Sequence, residues 1–185
     1  MADNRGRSGR VSSRVAIGGV FSALCLLLMF STALVPFATY AMPALAGAML
    51  AVVVIENGPK AALMVYASVT MLCLFTVPDY ESAMMFAVFF GYYPVLRDKL
   101  EKMRLHGVAM LIKLVVFNVA VTAAYLAMVY LFGMTELLEG MGDFGKYTPL
   151  ILLGMGNLVF QLYDYALGKY IIIYKARLRP VLHKK

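Results

Sequence analysis

The sequence predicts an all-α polytopic membrane protein: a six-transmembrane-helix bundle in the cell membrane, with N-terminus and C-terminus both cytoplasmic. Two observations predict it. The 185 residues are 62% apolar and only 15% charged, outside the range of soluble domains. The charges also alternate along the chain. Cations gather at residues 5–14, 97–104 and 175–185, with Lys60 alone in a short gap, whereas the alternate gaps hold Asp79 and Glu81, then Glu136, Glu139 and Asp143 with Lys146 as their only cation. A basic sign returning at every second gap is the positive-inside pattern, and it sets orientation as well as topology. It accounts for the net charge of +7 without nucleic acid, and anionic lipid adds to the attraction. About 20 residues cross the hydrocarbon, so the chain has room for about six spans in one transmembrane domain and for no soluble catalytic unit.

The first helix is expected at 15–34, ended by Pro36. Its basic lead resembles a signal peptide, and Thr39-Tyr40-Ala41 is weakly cleavage-like. The long apolar run and the spans that follow favour an uncleaved helix. The second helix, 40–55, takes Pro43 in its first turn, where a missing N–H costs little. Glu56-Asn57-Gly58-Pro59-Lys60 makes an inner turn before the third helix, 61–77. Pro78-Asp79-Tyr80-Glu81 opens the fourth, 81–96, with acids at the positive end of its dipole. Pro94 predicts a kink there. The fifth helix is expected at 107–132, then a glycine-bearing outer loop, then the sixth at 147–174 and a basic tail. Cys25 and Cys73 lie inside apolar runs, spaced for neither zinc nor a redox pair, and read as buried thiols without a disulfide.

Polar side chains inside a bilayer are costly unless paired, which makes each one a candidate site. The sixth helix carries Asn157, Gln161 and Asp164 at i, i+4 and i+7, one helical face, with Gly154 and Gly168 extending the stripe. The fifth carries Asn118, Thr122 and Tyr125 at the same spacing. Two such stripes form either the walls of a solute pocket or the hydrogen-bonded glue of a helix pair. Asp164 stands apart, because an intramembrane carboxylate has to be paired, protonated or hydrated. Lys113 is the obvious partner. Yet it lies five residues from Asn118, roughly 140° around the helix, so the expectation is that Lys113, like Lys169, snorkels to the inner headgroups.

Small residues mark close helix contacts. Gly19 with Ala23, and Gly18 with Ser22, form small-xxx-small pairs in the first helix, as do Ala44 with Ala48 and Gly47 with Ala51 in the second. The second helix is expected to pack internally and the first to face either the bundle or a partner. Asp79 and Glu81, at the rim of the fourth helix, are candidate solute contacts. The loop with Gly140, Gly142 and Gly145 is a candidate lid beside Tyr147. No Walker A lysine motif, H-E-x-x-H or G-x-S-x-G occurs, and His106 and His183 lack ligand-spaced neighbours. The expectation is a protein that is not an enzyme and holds no metal or cofactor.

With six expected helices, both termini inside and the opening Arg14-Val15-Ala16-Ile17-Gly18-Gly19-Val20-Phe21-Ser22-Ala23, the chain resembles the S components of energy-coupling factor (ECF) transporters. These are small integral subunits that capture vitamins and other micronutrients. The resemblance implies that Gly19 and Ala23 pack against a shared transmembrane coupling subunit, that two ATPase subunits supply energy, and that a small solute binds on the outer side among the later helices. On that reading Asn118, Thr122, Tyr125, Asn157, Gln161, Asp164, Asp79 and Glu81 are the substrate-binding residues, and the bundle topples to release its solute. The small membrane subunit of the bacterial rod-shape machinery has a similar length and helix count. It implies the alternative, a scaffold in which the polar stripes are glue.

Overall fold

The computed structural model describes residues 3–34, 38–130, 133 and 148–179, and every element among them is helical. The chain separates into two compact units, residues 1–99 and 100–185. Three helical stretches are long and apolar enough to cross a membrane: Pro59–Thr76, Gly107–Tyr130 and Leu150–Arg177. The apolar parts of the first two helices, Val15–Ser31 and Ala41–Asn57, are shorter.

In the N-terminal unit, α1 spans Asp3–Ser31, beginning twelve residues before the apolar run expected to open it. Nothing in residues 3–14 forbids a helix: there is no proline, and Asp3 and Asn4 suit a helix start. The helix tightens at its other end, where Leu34 N–H bonds Ser31 C=O at 3.1 Å, an i to i−3 closure. Helix α2, Ala41–Asn57, and helix α3, Pro59–Thr76, are separated by Gly58 alone. Its φ of +87° lies in the region glycine enters without strain. Its N–H caps α2 on the Val54 carbonyl at 3.1 Å, and Pro59 starts α3 where no N–H is needed. These three helices pack on one another, with Cys25, Met29, Leu50, Val53, Val69 and Cys73 fully buried in a shared core. Both cysteines are free thiols, as expected.

The expected fourth helix is not one helix. Asp79 caps α4, Tyr80–Met85, accepting the Ser82 N–H at 3.1 Å. A π-helical turn, Phe86–Phe90, follows, and a new helix α5, Tyr93–Leu100, begins after a turn at Gly91 and Tyr92. Pro94, expected to kink a continuous helix, instead sits in the first turn of α5, where its missing N–H is harmless. The wide turn upstream shifts the hydrogen bonds by one residue. Gly91 N–H bonds Phe86 C=O at 2.8 Å, leaving the Ala87 carbonyl that an α-helix would have used. The Tyr66 hydroxyl from α3 donates to that carbonyl at 2.5 Å. Gly91 is what admits the tyrosine: a Cβ there would overlap its ring, with Cε2 at 2.6 Å.

The C-terminal unit contains α6, His106–Tyr130, and α7, Thr148–Ile173, the latter ending in a π-helical turn, Tyr174–Leu178. These stand close to the expected 107–132 and 147–174. The two helices meet along one seam, where the Phe117 and Phe160 rings stack with centroids 4.6 Å apart and planes 11° from parallel.

Candidate functional site

The polar residues of α6 and α7 are brought together in part. Asn118 and Asn157 face each other, each Nδ2 donating to the other's Oδ1 at 2.9 Å. Each Nδ2 gives its second hydrogen to its own helix, Asn118 to Leu114 C=O at 2.7 Å and Asn157 to Leu153 C=O at 2.8 Å. All four amide hydrogens are therefore used, and what remains is one acceptor lone pair on each carbonyl. Thr122 and Gln161, expected on the same walls, are exposed, and Tyr125 is half-buried. Thr122 and Gln161 fall outside the seam, where the helices meet through Phe117 and Phe160.

Those positions correct the reading of Lys113. Lys113 is buried and its Nζ lies 2.8 Å from Asp164 Oδ2, with Glu101 Oε1 at 3.7 Å. It is the ion-pair partner of Asp164 and does not simply snorkel. The angle of roughly 140° between Lys113 and Asn118 does not keep Lys113 off the contact face. The contact face of α6 is centred nearer Phe117, one turn from Lys113, with Asn118 on its edge. A signal for this was present in the sequence: Lys113 and Phe117 are four apart, as are Phe160 and Asp164. An antiparallel pair that stacks the two phenylalanines therefore brings the lysine and aspartate to the same level. Helix α7 meets α6 through Asn157, Phe160 and Asp164 at i, i+3 and i+7, which leaves Gln161 outside. Gly156, not Gly154, is the glycine at this seam: a Cβ on it would meet the Phe117 ring at 3.5 Å, while Gly154 has nothing within 4 Å. Lys169 stays on the outer face of α7, its Nζ 5.4 Å from the centroid of the Tyr165 ring.

The rim residues of the N-terminal unit are engaged locally. Asp79 caps α4. Glu81 accepts a hydrogen bond from the Tyr40 hydroxyl, which ties the start of α4 to the start of α2. Ser82 is fully buried and its Oγ lies 3.3 Å from Thr32 Oγ1, joining the end of α1 to the same corner. Glu136, Glu139 and Asp143, the glycines expected to hinge a lid, and Tyr147 lie outside the described residues.

The two small-residue pairs of α1 point in different directions. A Cβ on Gly18 would lie 3.6 Å from Val65 of α3, and Ser22 Oγ returns a hydrogen bond to Gly18 C=O at 2.8 Å, so this pair packs inward. Gly19 and Ala23 are exposed, and Gly19 has nothing within 4 Å of a Cβ position. In α2, Gly47 and Ala51 are buried, as internal packing requires. Among the described residues no group of three His, Cys, Asp or Glu is placed to hold a metal ion. No family model, curated protein or solved structure matches this chain.

Proposed function

We propose that the chain is a six-span membrane subunit that captures a small solute from outside and is energised by partners, as an ECF-type S component is. The broken stretch 80–100 serves as the fourth crossing; its 21 residues would cover about 30 Å if helical throughout. The single observation that carries the reading is the outward pair Gly19 and Ala23. A helix already packed through Gly18, Cys25 and Met29 presents a second groove of small residues where another membrane helix can approach closely. Solute contact falls first to the exposed hydroxyl and amide of Thr122 and Gln161. Asn118, Asn157 and Asp164 contribute by holding α6 and α7 in register. The protein itself carries out no chemistry.

The reciprocal amide pair and the Lys113–Asp164 bridge favour a second reading, a membrane scaffold, because polar groups already paired with one another hold helices and leave little for a ligand. Purification of the tagged full chain from its native membrane in mild detergent, with mass spectrometry of what accompanies it, separates the two. The transporter reading expects two ATPase subunits and a large membrane coupling protein, lost on Gly19→Leu/Ala23→Leu while the chain itself stays in the membrane. Cell-wall or cytoskeletal proteins in their place would make it a scaffold.

A further inference from the structure

The far end of α7 carries cations and no acid. From residue 165 onward the sequence holds Lys169, Lys175, Arg177, Arg179, Lys184 and Lys185, with no Asp or Glu. Leu158, Leu162, Tyr165, Lys169 and Ile172 recur at i, i+4, i+7, i+11 and i+14, and all are exposed. They form one outward stripe, set off from the seam that holds Phe160 and Asp164. The apolar stretch Leu150–Arg177 has 28 residues, about 42 Å of helix against about 30 Å of hydrocarbon. Counting about 20 residues from Leu150 puts the hydrocarbon edge near Lys169. Tyr165 then stands in the interfacial belt where tyrosine is enriched, with the Lys169 ammonium against its ring. Lys175 and Arg177 are exposed on the π-helical turn beyond, and neither makes an ion pair among the described residues.

We propose that this end of α7 binds an anionic phospholipid, its headgroup attracted by the positive charge of Lys169, Lys175 and Arg177 and its acyl chains lying along Leu158, Leu162 and Ile172. Lys169 stands at the hydrocarbon edge, and Lys175 and Arg177, two residues apart and so on opposite sides of the helix, follow about two turns beyond it, a spread of positive charge that attracts a charged head on an apolar tail. Arg177 adds paired donors suited to phosphate oxygens. The inference needs α7 to cross a bilayer and is independent of the transporter reading.

Native mass spectrometry of the full chain in mild detergent tests it, with phosphatidylglycerol, phosphatidylcholine and inorganic phosphate as probes. Each cation near an anionic headgroup is worth about a fivefold change in occupancy. Phosphatidylglycerol adducts should therefore exceed phosphatidylcholine adducts clearly, and Lys169→Gln/Lys175→Gln/Arg177→Gln should bring the two level. Equal retention of both lipids by the unaltered chain overturns the proposal, as does an unchanged preference in the triple variant. Inorganic phosphate that displaces the lipid at equal concentration would make a soluble anion the ligand and overturn it too. If the triple variant gives no protein, Lys169→Gln alone, on the outward face, should cost about fivefold, and no loss refutes the site. Release of the chain from membranes by alkaline carbonate would instead refute the membrane reading beneath it.

Discussion

In the N-terminal unit the side chains that meet between helices are mostly apolar, and the close approaches are made by shape: Tyr66 over Gly91, Val65 against Gly18, Cys25 and Met29 in a sealed core. In the C-terminal unit α6 and α7 share a narrow seam, where two polar pairs flank the Phe117–Phe160 stack. Lipid is as apolar as leucine, so burying apolar side chains between spanning helices gains little beyond van der Waals fit. A unit of several helices can collect enough of that fit from many surfaces. A pair of helices with one seam has less of it, and polar groups that lack alternatives in hydrocarbon supply the specificity. The two units thus solve one problem by different means.

Substitutions in each unit should therefore fail for different reasons. The largest effect is expected from Asp164→Leu, which strands the buried Lys113 beside the more distant Glu101. Removing one partner of a buried pair costs about 3 kcal/mol, read as a lower thermal midpoint in detergent. Adding Lys113→Met should restore most of the loss, since an apolar pair replaces the ionic one; a double variant as weak as the single one would break the ion-pair account. Next comes Gly91→Ala in the other unit, where overpacking against Tyr66 and the Phe86 carbonyl costs about 2 kcal/mol. Combination with Tyr66→Ala should be less than additive, because the colliding ring is gone. If the two effects simply add, the tyrosine does not rest on Gly91.

A smaller effect is expected for the amide pair. A double-mutant cycle of Asn118→Ala and Asn157→Ala should give a coupling of about 0.6 kcal/mol, the average for polar pairs within membranes, and at most about 1.7 kcal/mol. A coupling near zero would make the pairing incidental. Smallest are Thr122→Ala and Gln161→Ala, each within about 0.5 kcal/mol in stability, as for exposed positions without partners. Under the transporter reading these two should weaken solute uptake while leaving the midpoint alone, which sharpens the division between residues that hold the helices and residues that meet a ligand.

Helix positions were largely legible in the sequence because they depend on local properties. Apolar length located α2, α3, α6 and α7 to within a few residues, and Gly58-Pro59 marked a turn through backbone preferences that need no neighbours. The start of α1 was not legible from hydropathy, since helix and apolar run are different properties and residues 3–14 satisfy only the first. The break in the fourth segment was half visible. Pro94 announced a disturbance, but the carbonyl freed by the π-helical turn is met by Tyr66 from another helix, whose ring fits only while Gly91 stays bare. The candidate site divided in the same way. Periodicity put Asn118 and Asn157 each on a helix face, yet it extended both stripes to Thr122 and Gln161 and left Lys113 out.

What the sequence by itself determined is the all-helical character, the apolar stretches long enough to cross a membrane and the sign of the charge at each end of them. These follow from residue composition within a window and from the transfer of side chains out of water. Only the tertiary structure decided which polar groups are already satisfied. Whether Asp164 is a free carboxylate or half of an ion pair, and whether Gly19 or Gly18 faces outward, depends on the azimuth at which two helices meet. That azimuth is set by the packing of whole faces, Phe117 on Phe160 and Val65 on Gly18, and no single-helix pattern contains it.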